Sequence, residues 1–138
     1  AVGNITQTGR EGLVAGRAAG MPILGICLGM QLMCEGSEEA PGVPGLGWIK
    51  GTCQRLASSQ LPHIGWNTVY WEPDERAEHF YFCHSYALTT PSQVAGVTIY
   101  DHEIFQSAVV VDRLWAVQFH PEKSGAVGLN LLAEFLRL

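Results

Sequence analysis

The sequence predicts an α/β fold in which antiparallel strands are inserted between two strand–helix units. The first observation is a short apolar run at residues 21–26, which is followed directly by good helix formers. The second is a similar unit near the C-terminus, where the apolar run 114–119 precedes a segment with helical spacing. The third is the region 47–111, where short strand patterns alternate with turn residues. Together these observations indicate an α/β protein with an antiparallel insert.

The N-terminal elements follow from local sequence signals. Residues 10–20 predict a short helix that ends at Gly20, because glycine is the favoured residue at a helix C-terminus. Residues 22–26 predict a buried strand, and residues 28–39 predict a helix. Prolines and glycines between residues 41 and 45 predict a loop that ends this unit.

The remaining elements are mostly strands. Short β-rich segments predict strands at 47–56, 66–71, 79–83, 93–100, 105–111 and 114–119. A closing helix is predicted to begin near Ser124 or Gly125. Its apolar face is formed by Val127, Leu131, Leu132, Phe135 and Leu136.

Length and composition predict one domain over residues 1–138, long enough to bury a core. The net charge of −5 argues against nucleic acid or an anionic membrane as the main partner. The uncharged run 18–34 is interrupted by glycine and proline, and it is shorter than the roughly 20 residues of a membrane span. No signal-peptide pattern opens the chain, and a start at Ala1 suggests a fragment or a processed product.

The cysteines do not predict a metal site. The four cysteines and five histidines show none of the spacings that are typical of zinc ligands. We therefore expect free thiols, no metal, no cofactor and a cytoplasmic location.

Cys27 stands where the first strand pattern gives way to the first long helix pattern, between Gly25 and Gly29. A nucleophile between glycines at a strand-to-helix turn is the arrangement called a nucleophile elbow. The helix N-terminus would lower the pKa of the thiol from about 8.5. The backbone N–H of Leu28 would be free to stabilise an oxyanion. The alternative is that Cys27 is a small buried core residue, as many free cysteines are.

A cysteine nucleophile needs a base, and the base needs a group that orients it. His120 directly follows the last predicted strand, and Pro121 favours an extended backbone at His120. In an extended backbone Glu122 lies on the same side as His120 and can fix its tautomer. The alternative for His120 alone is a structural, hydrogen-bonded histidine.

These two segments resemble the signatures of the class I (triad) glutamine amidotransferases. The matching residues are Gly25-Ile26-Cys27-Leu28-Gly29-Met30-Gln31 and His120-Pro121-Glu122. The resemblance implies a doubly wound, mostly parallel sheet with an antiparallel strand insert. It implies that Cys27 attacks the carboxamide of glutamine, that His120 is the general acid–base and that Glu122 orients it.

A finer resemblance is to the family of glutaminase subunits of imidazole glycerol phosphate synthase. It rests on GICLGMQLMCEGSEE, GLGWIKG, PHIGWNTV, FYFCHSYA and FHPEKSGAVGLNLLAEF, from about residue 21 to the C-terminus. It implies a heterodimer in which ammonia passes to a (β/α)8-barrel cyclase in histidine biosynthesis.

The same resemblance implies further site residues. Substrate L-glutamine would be bound by Gly3, Gly29, Gln31, His84, Ser85 and Tyr86, and the oxyanion hole would use Leu28 and Gly3. The cyclase would contact Trp66, Asn67, Tyr81 and Lys123. Trp66 and Tyr81 are alternatively core aromatics, Lys123 a solvated charge and His84 a structural histidine. Cys34, Cys53 and Cys83 are expected to be structural.

The chain departs from the family pattern at its front. The family begins with a strand–helix–strand unit, and here only Ala1-Val2-Gly3 corresponds to the end of the loop that follows it. Two alternatives to the glutaminase therefore remain open. One is a truncated chain that acts only as a binding module. The other is the glutaminase of anthranilate or aminobenzoate synthesis, which Met30 and the Lys123-Ser124-Gly125 tail disfavour.

Overall fold

A computed structural model describes residues 7–90 and 94–138 and confirms the α/β fold class. The helices are α1 (Gln7–Ala18), α2 (Leu28–Met33) and α3 (Gly125–Phe135), and a 3-10 turn, Pro121–Lys123, precedes α3. The strands are β1 (Ile23–Ile26), β2 (Cys34–Ser37), β3 (Ile49–Arg55), β4 (His63–Trp71), β5 (Ala77–His84), β6 (Tyr86–Ala87), β7 (Val94–Tyr100), β8 (Glu103–Val111) and β9 (Leu114–Val117).

The larger sheet has six strands in the order β1-β9-β8-β7-β4-β5. Strands β1 and β9 are parallel, and the other neighbours in this sheet are antiparallel. A smaller sheet has the order β2-β3-β6, with β2 parallel to β3. A mostly parallel sheet was expected, whereas most of the described strand pairs are antiparallel. The reason is that short turns connect β4 to β5, β7 to β8 and β8 to β9.

The expected doubly wound arrangement is present around β9, whose side chains alternate between two apolar clusters. Leu114 and Ala116 join the cluster that contains Met30 and Met33 of α2. Trp115 and Val117 join the opposite cluster with Leu131 of α3. Because successive side chains of a strand point to opposite faces, α2 and α3 cover the two faces of the sheet.

The predicted helix 28–39 is wrong beyond Met33. Its carbonyl groups are taken by the loop that precedes β3, where Trp48 N–H donates to Met33 O at 2.8 Å and Gly45 N–H donates to Glu35 O at 2.8 Å. Residues after Met33 then pair with β3 as strand β2. Strand β6, which has only two residues, was not predicted, and the predicted strand 66–71 begins three residues after the observed start of β4.

In the part of the chain that the structure describes, no helix combines the length and apolarity that crossing a bilayer requires. Within the same residues, no group of three or more histidine, cysteine or acidic side chains lies close enough to hold a metal ion.

Candidate active site

Cys27 occupies a sharp turn between β1 and α2. Its backbone has φ 54° and ψ −104°, in a region that residues with a side chain rarely adopt. A hydrogen bond fixes this turn to the neighbouring strand, since Cys27 N–H donates to Val117 O of β9 at 2.8 Å. Backbone strain of this kind persists at functional sites where the surrounding structure enforces it. The predicted nucleophile elbow is therefore present in the backbone.

The two glycines that flank Cys27 serve different purposes. A Cβ atom on Gly25 would lie 2.7 Å from the sulfur of Met33 and 2.9 Å from the carbonyl carbon of Gly29. Close approach of α2 to β1 thus requires glycine at position 25. A Cβ atom on Gly29 would have no neighbour within 4 Å among the described residues. Packing therefore does not require glycine at position 29.

The Cys27 thiol is half-buried and has polar neighbours on two sides. Gln118 Nε2 donates to the sulfur at 3.5 Å, and the thiol donates to Cys83 O at 3.8 Å. Burial raises the pKa of the Cys27 thiol above its ordinary value, while hydrogen bonds from Leu28 N–H and Gln118 oppose this increase. The expected lowering of the thiol pKa at the start of α2 is not found, because burial outweighs the hydrogen bond from Leu28 N–H.

His120 directly follows the 114–119 segment that contains β9, the strand parallel and adjacent to β1. Both side chains therefore belong to the carboxyl end of neighbouring parallel strands. Glu122 Oε2 lies 2.9 Å from His120 Nδ1, as the sequence predicts. The His120 backbone N–H donates to Tyr81 O at 2.8 Å, and its carbonyl accepts from Ser124 Oγ at 2.6 Å. With Nδ1 engaged by the carboxylate, Nε2 makes no hydrogen bond to residues 7–90 or 94–138 and is free to exchange a proton.

Gln31 and Tyr86, both predicted to bind substrate, meet behind the thiol. Gln31 Nε2 donates to Tyr86 O at 3.1 Å and to Gln118 Oε1 at 3.4 Å. Gln31 is buried, yet its Oε1 has no partner among the described residues. Gln118 was not predicted as a site residue. No local sequence pattern marks it, because it is placed beside Cys27 by the parallel register Ile26↔Val117 between distant segments of the chain.

His84, which was predicted to bind substrate, is buried and contacts His63. His63 Nδ1 and His84 Nε2 are 2.9 Å apart, and His84 Nδ1 is 3.0 Å from Tyr86 O. Burial lowers the pKa of both histidines to about 4, and the His120 ring also lowers that of His84. Ser85 is half-buried, and its carbonyl accepts from Leu56 N–H at 2.9 Å.

Two of the four predicted partner residues, Trp66 and Tyr81, lie on the outer face of the β4–β5 hairpin. Trp66 is 58% exposed and pairs with Tyr81, with ring centroids 6.2 Å apart. The alternative that Trp66 is a core aromatic is therefore wrong. Lys123 is exposed on the 3-10 turn. The Asn67 side chain instead turns toward His63 Nε2 at 3.3 Å and donates to Ile99 O at 3.0 Å.

The other cysteines differ from one another. Cys34 and Cys53 are fully buried with their sulfur atoms 3.7 Å apart as free thiols, and this contact together with burial raises the pKa of Cys53. Cys83, by contrast, is a free thiol that is exposed on the hairpin face. Gly3, expected in the oxyanion hole and the substrate site, lies outside the described residues.

The chain is similar to known proteins over most of its length. The chain matches the family Glutamine amidotransferase class-I over residues 4–137. The imidazole glycerol phosphate synthase subunit HisH of Thermococcus kodakarensis is 50% identical over 131 residues, which cover 86% of this chain and 67% of that protein. The HisH subunit of Thermotoga maritima is 48% identical over 115 residues, covering 83% of this chain and 57% of the relative. The chain thus spans from little more than half to about two thirds of these relatives' length.

Two solved structures share the fold. One glutamine amidotransferase structure has a TM-score of 0.70 at 17% identity, covering 94% of this chain and 67% of the other. A glutamine amidotransferase from Thermotoga maritima has a TM-score of 0.55 at 17% identity, covering 95% of this chain and 53% of the other. At this level of identity the likeness concerns the fold alone.

Proposed function

The chain belongs to the class I glutamine amidotransferases, and we propose that it is the glutaminase subunit of a cytoplasmic imidazole glycerol phosphate synthase. In this role it hydrolyses L-glutamine to glutamate and ammonia. The observation that carries the proposal is the pairing of a strained Cys27 elbow on β1 with a His120–Glu122 dyad after the adjacent parallel strand. The relatives described above, which are HisH subunits by name, support the finer assignment.

The chemistry begins with proton transfer from the Cys27 thiol to His120 Nε2. The sulfur then bonds to the carboxamide carbon of glutamine, and the negative charge moves to the amide oxygen. Leu28 N–H, which lies beside the sulfur, is available to bind that oxyanion. When the intermediate collapses, the C–N bond breaks and ammonia leaves with the proton from His120.

The second half of the reaction removes the glutamyl group. His120, again neutral, takes a proton from water, whose oxygen attacks the thioester carbon. The C–S bond breaks, glutamate leaves and Cys27 recovers its proton. Throughout the cycle Glu122 holds His120 Nδ1–H at 2.9 Å and keeps Nε2 directed at the reaction.

The outer face of the β4–β5 hairpin supports docking of a (β/α)8-barrel cyclase. Ile64 and Trp66 on this face are each 58% exposed, and such apolar exposure marks interaction surfaces. The face is connected to the dyad, since Tyr81 O accepts from His120 N–H and Tyr81 N–H donates to Ser124 Oγ. A shift of the Tyr81 backbone on partner binding would therefore change the position of His120.

Glutamine hydrolysis tests the proposal. The chain is assayed for glutamate release with and without a cyclase subunit and that subunit's ligand, and Cys27→Ala serves as the inactive control. We expect cyclase-dependent release that Cys27→Ala abolishes. No release under any condition, with normal binding of the cyclase, would instead favour a non-catalytic binding module. Stimulation by an anthranilate or aminobenzoate synthase subunit, and not by the cyclase, would favour the other alternative.

A further inference from the structure

Gln118 is a buried glutamine that has no role in the scheme above, although its side chain touches the reacting sulfur. It is fully buried directly after β9, and its backbone N–H donates to Ser107 O at 2.9 Å. Cys27 is fixed beside it, because Cys27 N–H bonds to the preceding carbonyl, Val117 O, at 2.8 Å. The sulfur and the Gln118 amide are thus held by the backbones of two adjacent strands.

The direction of the hydrogen bonds around Gln118 is determined by a backbone carbonyl. Tyr86 O can only accept, so the Gln31 group that lies 3.1 Å away must be its amide nitrogen. The same nitrogen lies 3.4 Å from Gln118, so the Gln118 atom facing it must be the acceptor Oε1. The nitrogen of Gln118 is therefore turned toward Cys27, 3.5 Å from the sulfur.

On the premise of the proposed glutaminase, we propose that Gln118 is a hydrogen-bond donor that holds and stabilises the Cys27 thiolate, and that Gln31 is a positioning residue that orients the Gln118 amide. Two features make this donor important. Burial disfavours the thiolate, and among the described residues only the hydrogen bonds from Leu28 N–H and Gln118 oppose this effect. The S–H bond to Cys83 O exists only in the neutral thiol, whereas the donor from Gln118 persists in the thiolate.

Gln31 also connects this donor to the substrate site. Its Oε1 is buried with no partner among the described residues, while its nitrogen holds both Tyr86 O and Gln118 Oε1. A buried acceptor without a partner is costly, and an N–H of bound glutamine would satisfy it. Substrate binding would then fix Gln31 and, through it, the donor on the sulfur.

The test is the pH dependence of Cys27 alkylation by iodoacetamide, read by mass spectrometry of the peptide that contains Cys27. Gln118→Met keeps the length of the side chain and removes the donor. We expect the midpoint to rise by about one pH unit, so that alkylation below the midpoint is about tenfold slower. Gln118→Glu, which also lacks the N–H and adds a negative charge, should shift the midpoint at least as far. Gln31→Met should shift it by less, in the same direction.

The matched control is Gln106→Met. Gln106 is likewise buried, lies on the neighbouring strand β8 and has no hydrogen-bonded side-chain atom among the described residues. Its replacement should leave the midpoint unchanged. A wild-type midpoint in whichever of Gln118→Met and Gln118→Glu remains folded would overturn the proposal, and a wild-type midpoint in Gln31→Met would overturn the orienting role. Because alkylation needs neither glutamine nor a cyclase, the result is independent of whether the chain proves to be a glutaminase.

Discussion

At the scale of single residues, Cys27 should differ from the other three cysteines in its reactivity toward substrate analogues. A glutamine-analogue electrophile should label Cys27 and leave Cys34, Cys53 and Cys83 unmodified, because only Cys27 of these four lies in the strained elbow after β1, the strand adjacent to β9. Cys83 is the internal control, since it is exposed and should react with a general alkylating reagent. Mass spectrometry of the labelled peptides measures both reactions. Labelling of Cys83 by the analogue would contradict the assignment of the nucleophile.

His120 and Glu122 should differ in importance. His120→Ala should lower kcat about 1000-fold or more, since it removes the proton carrier from both halves of the reaction. Glu122→Gln should leave a reduced but measurable rate, because it removes only the carboxylate that lies 2.9 Å from Nδ1. Steady-state glutamate release with saturating cyclase measures the two rates. Equal and complete loss in a folded Glu122→Gln protein would contradict this ranking, as would full activity of His120→Ala.

At the scale of secondary-structure elements, the contact between β1 and α2 determines the shape of the elbow. Gly25→Ala should destabilise the fold by about 1–3 kcal/mol, because the new Cβ would lie 2.7 Å from the Met33 sulfur and 2.9 Å from Gly29. Gly29→Ala is the matched control, with no atom within 4 Å of its Cβ among the described residues. Denaturant unfolding measures both variants. Equal free energies of unfolding for wild type and Gly25→Ala would show that this contact relaxes freely.

The β4–β5 hairpin should make stability depend on pH through His63 and His84. The folded chain holds their pKa values near 4, whereas the unfolded chain has ordinary values near 6.5. Below pH 6.5 the unfolded state binds more protons than the folded state, so stability is complete above pH 6.5 and is lost as the pH falls toward 4. The loss at pH 5.5 is about 1 kcal/mol for each histidine.

Urea unfolding between pH 8 and pH 5 measures this dependence. His84→Gln should flatten the decline, because the substituted side chain does not titrate. His79→Gln, at an exposed position on the same strand, should leave the decline as it is in the wild type. An equally steep decline in His84→Gln and His79→Gln would mean that other groups cause the acid sensitivity.

The sequence predicts elements that are formed by local interactions, and it does not predict features that depend on residues distant in the chain. Strand β1, the elbow and the start of α3 at Gly125 follow from local patterns, and the sequence places them correctly. The end of α2 does not, because Met33 O is taken by Trp48 N–H from a distant loop. Gln118 was missed for the same reason, since its role depends on the parallel register of β1 with β9 and on Gln31.

At the scale of the whole molecule, the β4–β5 hairpin connects the proposed docking face to the His120–Glu122 pair. The Trp66 and Tyr81 rings lie on the outer face of the hairpin. The backbone of Tyr81 bonds to the segment that follows β9, because its carbonyl accepts from His120 N–H and its N–H donates to Ser124 Oγ. The alternation of side chains along β5 thus separates an inner face that supports the site from an outer face that is free for a partner. Because free ammonia is lost to solvent, a glutaminase that feeds a synthase should be nearly inactive without its partner.

If the cyclase docks at this face, replacing an aromatic residue and replacing a charged residue should weaken binding to different extents. Trp66, 58% exposed, has the character of an interface anchor, so Trp66→Ala should raise the cyclase concentration needed for half-maximal glutamine hydrolysis about 30-fold. Lys123→Ala should raise it only a few-fold and reduce its dependence on salt, because Lys123 is an exposed rim charge. Leu129→Ala, which truncates an apolar side chain on α3 that is 67% exposed, is the control and should change nothing. Fast hydrolysis by the isolated chain, unchanged by the cyclase, would rule out activation through this face, while equal effects of Trp66→Ala and Leu129→Ala would place the interface elsewhere.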